Sequence, residues 1–160
     1  MESRAKLFGH PIHQMLIVFP LGVLAMSFVF DIIALVTNNT QLSGASFYMI
    51  AAGVIAGLLA AVFGLIDFLA IPRGTRARRL GTLHGTGNVV VVALFAVSWI
   101  LRRDAPSDPG LVPVVLSGVA AVIATVTGWL GGELVDRLGV GVDDGAHLDA
   151  PSSLSGRPAR

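Results

Sequence analysis

The chain has no cysteine, a single tyrosine and little charge, with Asp, Glu, Lys and Arg together making 13% of its 160 residues. Without cysteine there is no disulfide, no thiolate nucleophile, no thiolate-held iron–sulfur cluster and no covalently attached c-type haem. The formal net charge is only +1, and the arginines are local rather than a basic stripe interleaved with aromatics, which argues against nucleic acid as a partner. Nucleophile–base pairs and loops the size of a lid are missing too, which leaves catalysis on a soluble substrate without support.

What the chain has instead is apolar length. Hydrophobic residues make up 54% and the mean hydropathy is +0.78. Four apolar runs, Met15–Val36, Phe47–Ile71, Leu83–Leu101 and Leu111–Leu130, are separated by short polar breaks. A helix of about 20 apolar residues crosses the hydrocarbon, and it satisfies its own backbone hydrogen bonds while doing so. The prediction is an all-α fold, four transmembrane helices in an antiparallel bundle, with spans at 12–36, 47–71, 82–101 and 111–133. They form one membrane domain, 1–142, followed by a disordered tail, 143–160, rich in Pro, Ser, Gly and Arg. The first run is long, contains Asp31 and lacks a small-x-small cleavage site, so it reads as a retained span and not a signal peptide.

Charge sets the orientation. Arg4, Lys6, Arg73, Arg76, Arg78 and Arg79 flank one surface, against Arg102 and Arg103 at the other. Basic residues favour the cytoplasmic side, which predicts both termini cytoplasmic. Pro20 lies inside the first span and predicts a kink where the Leu16 carbonyl loses its partner. Gly53 and Gly57, Gly81 and Gly85, and the group Gly128, Gly131 and Gly132 predict close helix packing, either within the chain or in a homodimer.

The polar residues of the spans fall mainly at one surface. His13 and Asp31 share a face of the first span but lie five turns apart, about 27 Å along the axis, so they mark opposite surfaces. The inner end collects His10, His13, Asp67, His84, Asn88, Glu133 and Asp136 from all four helices. Polar groups placed this way in a membrane face a cavity or one another. Each also has a structural role open to it. His10 can cap a helix, and His13 can sit in the headgroup zone. Asp67 can pair with Arg73 or Arg76, and Asp31 with Arg102 or Arg103. His84 and Asn88 can hydrogen-bond between helices, while Glu133, Asp136 and the tail residue His147 can be solvated.

The chemistry-bearing reading concerns the histidines. His10 and His13, three apart, can share a small metal ion but cannot supply both axial ligands of one haem, which must approach from opposite faces. A haem b held by two histidines would take one from the first span and His84 from the third. Asp67 and Glu133 together with the histidines would instead suit a transition-metal ion with mixed nitrogen and oxygen ligands.

The stretch Gly9-His10-Pro11-Ile12-His13-Gln14-Met15-Leu16-Ile17-Val18-Phe19-Pro20-Leu21-Gly22, followed by Phe30-Asp31, resembles the opening motif of the DUF2231 family of bacterial membrane proteins. Gly64-Leu65-Ile66-Asp67 and His84-Gly85-Thr86-Gly87-Asn88 resemble its second and third motifs. Gly131-Gly132-Glu133-Leu134-Val135 with Gly139-Val140-Gly141-Val142 resembles the last. The match covers residues 9–142 and departs from the family pattern at Asp136, in place of a tyrosine-like residue, and at Leu138, near a common histidine. The resemblance implies a four-helix domain of the bacterial inner membrane, with relatives beside Rieske-type or cytochrome-like modules and hence redox-chain proteins as partners.

Three readings follow. The first is a small membrane protein binding haem or a metal ion at the cytoplasmic end of the bundle and supporting redox chemistry. His13 and His84 are then ligands, His10 an alternate, and Asp67 and Asn88 their supporting partners. The second is a structural or accessory subunit without cofactor. The third is a small transporter or proton-conducting unit with Asp31 and Asp67 as titrating stations, although Ser27 is nearly the only polar residue between His13 and Asp31.

Overall fold

A computed structural model describes residues 1–157, and in it four helical stretches are long and apolar enough to cross a membrane. The first, Ile12–Thr37, consists of α1 (Ile12–Leu16) and α2 (Val18–Thr37). They join at Ile17, where the helical pattern is interrupted because Pro20 has no N–H to offer the Leu16 carbonyl. The remaining spans are α3 (Thr40–Ala70), α4 (Arg76–Leu101) and α5 (Leu111–Gly132), the last running on into a π-helical turn, Glu133–Arg137.

Helices α3 and α4 begin six or seven residues before the predicted starts at 47 and 82, and α5 with its π turn runs four residues past 133. Capping explains the early starts. The Asn39 side chain accepts from the Gln41 and Leu42 amides, and Thr75 Oγ1 accepts from the Arg78 amide at 3.1 Å. Such caps satisfy the free N–H groups of a first turn, so polar residues can extend an apolar helix into water.

One element lies outside the predicted all-helical plan. Lys6–Leu7 (β1) and His10–Pro11 (β2) pair as a two-residue antiparallel ladder, reversed through Phe8 and Gly9, both at positive φ. That turn matches the twist of paired strands. Residues 143–157 hold turns but no helix or strand. The end of the predicted disordered tail, 158–160, lies outside the described residues.

The spans pack as two hairpins, α2 on α3 and α4 on α5, with thinner contacts joining α3 to α4 and α2 to α5. Helices α2 and α4 are therefore diagonal neighbours that meet through side chains on the bundle axis. Leu24, Ile50, Val91, Phe95 and Ala120 form the core there. The outer surface is apolar as well, Val36, Leu58, Val89 and Val122 being well exposed, as lipid-facing helices require. Lipid gives apolar helices no net drive to associate, so close fit must hold them. A Cβ at Gly53 would come within 2.5 Å of the Leu24 side chain, and one at Gly81 within 3.0 Å of the Phe68 ring.

At the end of the bundle away from the N-terminus, Asp31 and Arg102 form a bidentate pair with both contacts at 2.7 Å and neither side chain exposed. Of the two expected partners of Asp31, Arg102 is the one used. Arg103 instead places its guanidinium over the Trp99 ring.

Candidate functional site

Two histidines meet on the bundle axis, at the end where the N-terminus lies. His13 comes from α1 and His84 from the third turn of α4, and their ring centroids are 6.5 Å apart with the ring planes at 89°. Both side chains are half-buried. His13 Nδ1 lies 2.9 Å from the Ala60 carbonyl of α3, and His84 Nδ1 lies 2.9 Å from the Thr127 carbonyl of α5. A carbonyl only accepts, so in each neutral ring Nδ1 carries the proton and Nε2 keeps its lone pair.

The two half-sites are built alike. Each histidine bonds a carbonyl on the other helix of its own hairpin, and four residues beyond that carbonyl stands a glycine that makes room for the ring. A Cβ at Gly64 would sit 2.7 Å from His13 Cε1, and one at Gly131 would sit 3.1 Å from His84 Cε1. The backbone thus fixes tautomer and ring orientation twice over, as it does around metal-binding imidazoles.

Asn88, one turn after His84, adds to the second half-site. Its amide nitrogen lies 3.2 Å from His84 Nε2 and donates to the His84 carbonyl at 3.0 Å, while its Oδ1 accepts from Thr127 Oγ1 at 2.9 Å. Asn88 thus stands beside His84 and ties α4 to α5 through Thr127.

The other expected site residues are held elsewhere. His10 pairs with Leu7 in the β ladder and is exposed, with Nε2 3.5 Å from Ser153 Oγ. It neither joins His13 nor caps α1, whose capping position is Pro11 and carries no side-chain cap. Turning through Phe8 and Gly9 swings His10 away from the helix on which its i, i+3 relation to His13 depended.

Asp67 is buried, but its partners are neither Arg73 nor Arg76. Ser3 Oγ lies 2.8 Å from both carboxylate oxygens, and the Arg4 amide donates to Oδ1 at 2.7 Å. The N-terminal segment folds back over the end of α3 and reaches the carboxylate before the arginines do. Nothing in the sequence marks Ser3 for this place. Arg76 bonds Glu133 at 2.7 Å, so Glu133 is paired and not freely solvated, whereas Asp136 is exposed as expected. Arg78 donates to the Phe68 and Ile71 carbonyls and covers the Phe68 ring, closing the end of α3. Among the described residues no three His, Cys, Asp or Glu side chains come together in a way that could hold a metal ion. The expected five-residue ion site of His10, His13, His84, Asp67 and Glu133 is therefore not assembled.

A family model for predicted membrane proteins, DUF2231, matches residues 9–144. The chain belongs to the DUF2231 family. It is a membrane protein with four candidate spans, and no curated protein and no solved structure is significantly similar to it. In this DUF2231 chain the matched segment contains both half-sites whole: His13, Ala60, Gly64, His84, Asn88, Thr127 and Gly131 all lie within it. Gly64 and Gly131 stand inside the motifs quoted above, so those motifs mark the floor under each ring as well as the histidines. Ala60 and Thr127 carry no such mark, because it is their carbonyls that take part.

Proposed function

We propose that the protein binds a b-type haem between His13 and His84 and supports electron transfer at the inner membrane surface. The observation that carries this is the pair of imidazoles 6.5 Å apart, each with Nδ1 tied to a carbonyl; among the described residues His13 Nε2 has no hydrogen-bond partner, and His84 Nε2 has the Asn88 amide nitrogen 3.2 Å away, which a ligand would displace. An imidazole nitrogen stands about 2.0–2.1 Å from a transition metal, and two such bonds plus two ring radii span about 6.5 Å. The ring separation matches that span. The number of donors then chooses between haem and bare ion. Two histidines alone leave a zinc-like ion short of the three or four protein ligands it takes, whereas a haem iron already has four porphyrin nitrogens and needs two axial ligands. Bundle cores are a common place for such sites, built from side chains on facing helices.

The absence of cysteine restricts the haem to a non-covalent, b-type form. When bound, it would supply one-electron chemistry; the protein's part is to hold the two ligands and exclude water. Its partners on this reading are redox-chain proteins at the cytoplasmic surface of a bacterial inner membrane, with both termini on that side. Charge supports the orientation. Arg102 and Arg103 are the basic residues at the outer connections, against Arg4, Lys6, Arg73, Arg76, Arg78, Arg79 and Arg137 at the inner surface. Gly53, Gly57 and Gly81 face neighbours of the same bundle, whereas Gly85, Gly128 and Gly132 meet nothing within 4 Å and stay open to a second copy.

One observation favours the structural reading: the Nδ1 atoms and Asn88 are satisfied within the protein, as interhelical hydrogen bonds would be. The transporter reading has less support, because Asp31 and Asp67 are both held by protein partners at opposite ends. The deciding experiment is a reduced-minus-oxidised absorption spectrum of the protein purified in mild detergent from a haem-replete host. Sharp α and Soret bands at near-stoichiometric haem, lost in His84→Ala, are expected. A featureless spectrum from correctly inserted protein overturns the haem reading and leaves the structural one.

A further inference from the structure

The two hairpins are related by more than their histidines. Four buried residues of α2 have buried counterparts on α4 or at its C-terminal end at one constant offset: Pro20 with Val91, Leu24 with Phe95, Ser27 with Ser98 and Asp31 with Arg102, each pair 71 residues apart. His13 and His84 keep the same offset, as do the buried Ser46 and Ser117 at the outer starts of α3 and α5. Because each hairpin runs inward–outward–inward, the relation is a parallel repeat about an axis along the membrane normal, a plan known from other membrane folds.

Along that axis counterparts face counterparts. The histidines meet at the inner end, Leu24 and Phe95 share the core, and Asp31 meets Arg102 at the outer end. Only the last pair carries charge, and there the two halves have opposite signs. The guanidinium is held on every side: Asp31 takes two bonds at 2.7 Å, Ser98 and Ser117 lie at 3.2 Å, and Ser46 at 3.5 Å. Ser46 bonds the Ser27 carbonyl and Ser98 the Pro113 carbonyl, so all four spans are tied to this one point.

We infer that Asp31 and Arg102 are the positioning pair for the histidine site: they fix the register of one hairpin against the other, so that His13 and His84 face each other. This rests on the haem reading for its purpose but not for its geometry. Each charged residue lies five helical turns from its own histidine on the same helix face, about 27 Å along the axis. A slide of one turn would move a hairpin about 5.4 Å and separate both pairs together. The apolar middle resists such a slide weakly, since lipid is as good a solvent for leucine as a neighbouring helix is. A buried charge without its partner resists it strongly, and setting register is the best-attested role of buried polar pairs.

The test uses the full chain, whose lack of cysteine gives a clean background. His13→Cys with His84→Cys, treated with a short thiol-to-thiol cross-linker and read by intact mass, reports whether the two positions face each other, with no haem involved. Into this background go Asp31→Asn, the neutral pair Asp31→Asn with Arg102→Gln, and the exchange Asp31→Arg with Arg102→Asp. In Asp31→Asn and in the neutral pair the cross-link rate per inserted monomer should fall on the order of tenfold, a usual size for coupling between two sites. The exchange should restore it, because the repeat places each residue where the other was. In parallel, with the histidines intact, the neutral pair should turn the haem spectrum from six-coordinate low-spin towards high-spin, and the exchange should return it. Reduced yield with unchanged low-spin haem would mark a merely structural role. Cross-linking at the parent rate in the neutral pair, or no recovery in the exchange, overturns the inference. If the parent protein binds no haem, the haem reading fails while the cross-link arm still decides the positioning.

Discussion

Asp31 and Arg102 face each other through two parallel 2.7 Å hydrogen bonds at the end of the bundle away from the N-terminus, with no exposure of either side chain. Removing one partner from such a pair leaves a bare charge in a medium that cannot solvate it, at a cost of about 3–5 kcal/mol. Arg102→Ala is expected to lose that much in unfolding measured in detergent. Asp31→Leu with Arg102→Met should lose far less, since no charge is stranded. Equal losses in the single and the double variant would show that the pair contributes net attraction beyond avoiding a stranded charge.

His13 and His84 are expected to be needed together for haem. Either one changed to alanine should abolish the low-spin spectrum while the protein still inserts. Asn88→Ala leaves both ligands in place but removes the amide beside His84 Nε2 and the acceptor of Thr127 Oγ1. Thr127 carries the carbonyl that orients the His84 ring, and losing its hold on Asn88 should weaken haem binding by about 10–100-fold, which haem titration into the purified apoprotein would measure. Asn88→Ala binding as tightly as the parent would remove Asn88 from the site.

Two glycines of the motifs, Gly64 on α3 and Gly85 on α4, should respond oppositely to alanine. At Gly64 the new methyl would lie 2.7 Å from His13 Cε1, inside contact distance, so the ring must move. Overpacking of this kind costs about 1–3 kcal/mol, and it should displace His13 as a ligand. At Gly85 a methyl meets nothing within 4 Å. There alanine should stabilise the helix by roughly 0.5–1 kcal/mol by restricting the unfolded chain. Thermal unfolding of the two variants checks this, and similar melting temperatures would contradict the packing described at Gly64.

The N-terminal segment should loosen at both pH extremes. Lys6 bonds Asp143 and Glu2, and the bond to Asp143 first, then that to Glu2, raises its pKa above the ordinary 10.5. A raised cation contributes stability fully below its unfolded value and loses it as pH rises through the folded one. The bond from Lys6 lowers the Glu2 pKa below its ordinary 4.5, so that contribution is present above the unfolded value and lost as pH falls through the depressed one. The segment should be held tightly between these limits and released beyond either. Limited proteolysis within residues 1–9 would read this, and protection unchanged on crossing both limits would contradict it.

Much of the fold was legible in the sequence, because membrane insertion is decided by local quantities. A run of about 20 apolar residues crosses the bilayer whatever its neighbours do, so four runs dictated four spans, and short connections dictated antiparallel neighbours. Helix ends were read less well. Asn39 and Thr75 carry polar turns into α3 and α4, and a cap acts through hydrogen-bond geometry that hydropathy does not register.

The site divides along the same line. His13, His84 and Asn88 could be named from the sequence because polar side chains in a span are costly and must converge on something. What they converge on belongs to the tertiary structure. The sequence placed His10 beside His13, and a two-residue turn at Phe8 and Gly9 took it away. It placed Asp67 beside the arginines of the next connection, and Ser3, distant in sequence, reached it first. The carbonyls of Ala60 and Thr127 are backbone atoms that any residue could offer, so only packing selects them. Local hydropathy thus determined the number and order of the helices. The facing of the two hairpins, and with it the 6.5 Å between the histidine rings, was decided by contacts such as Asp31 with Arg102, which exist only once all four spans are assembled.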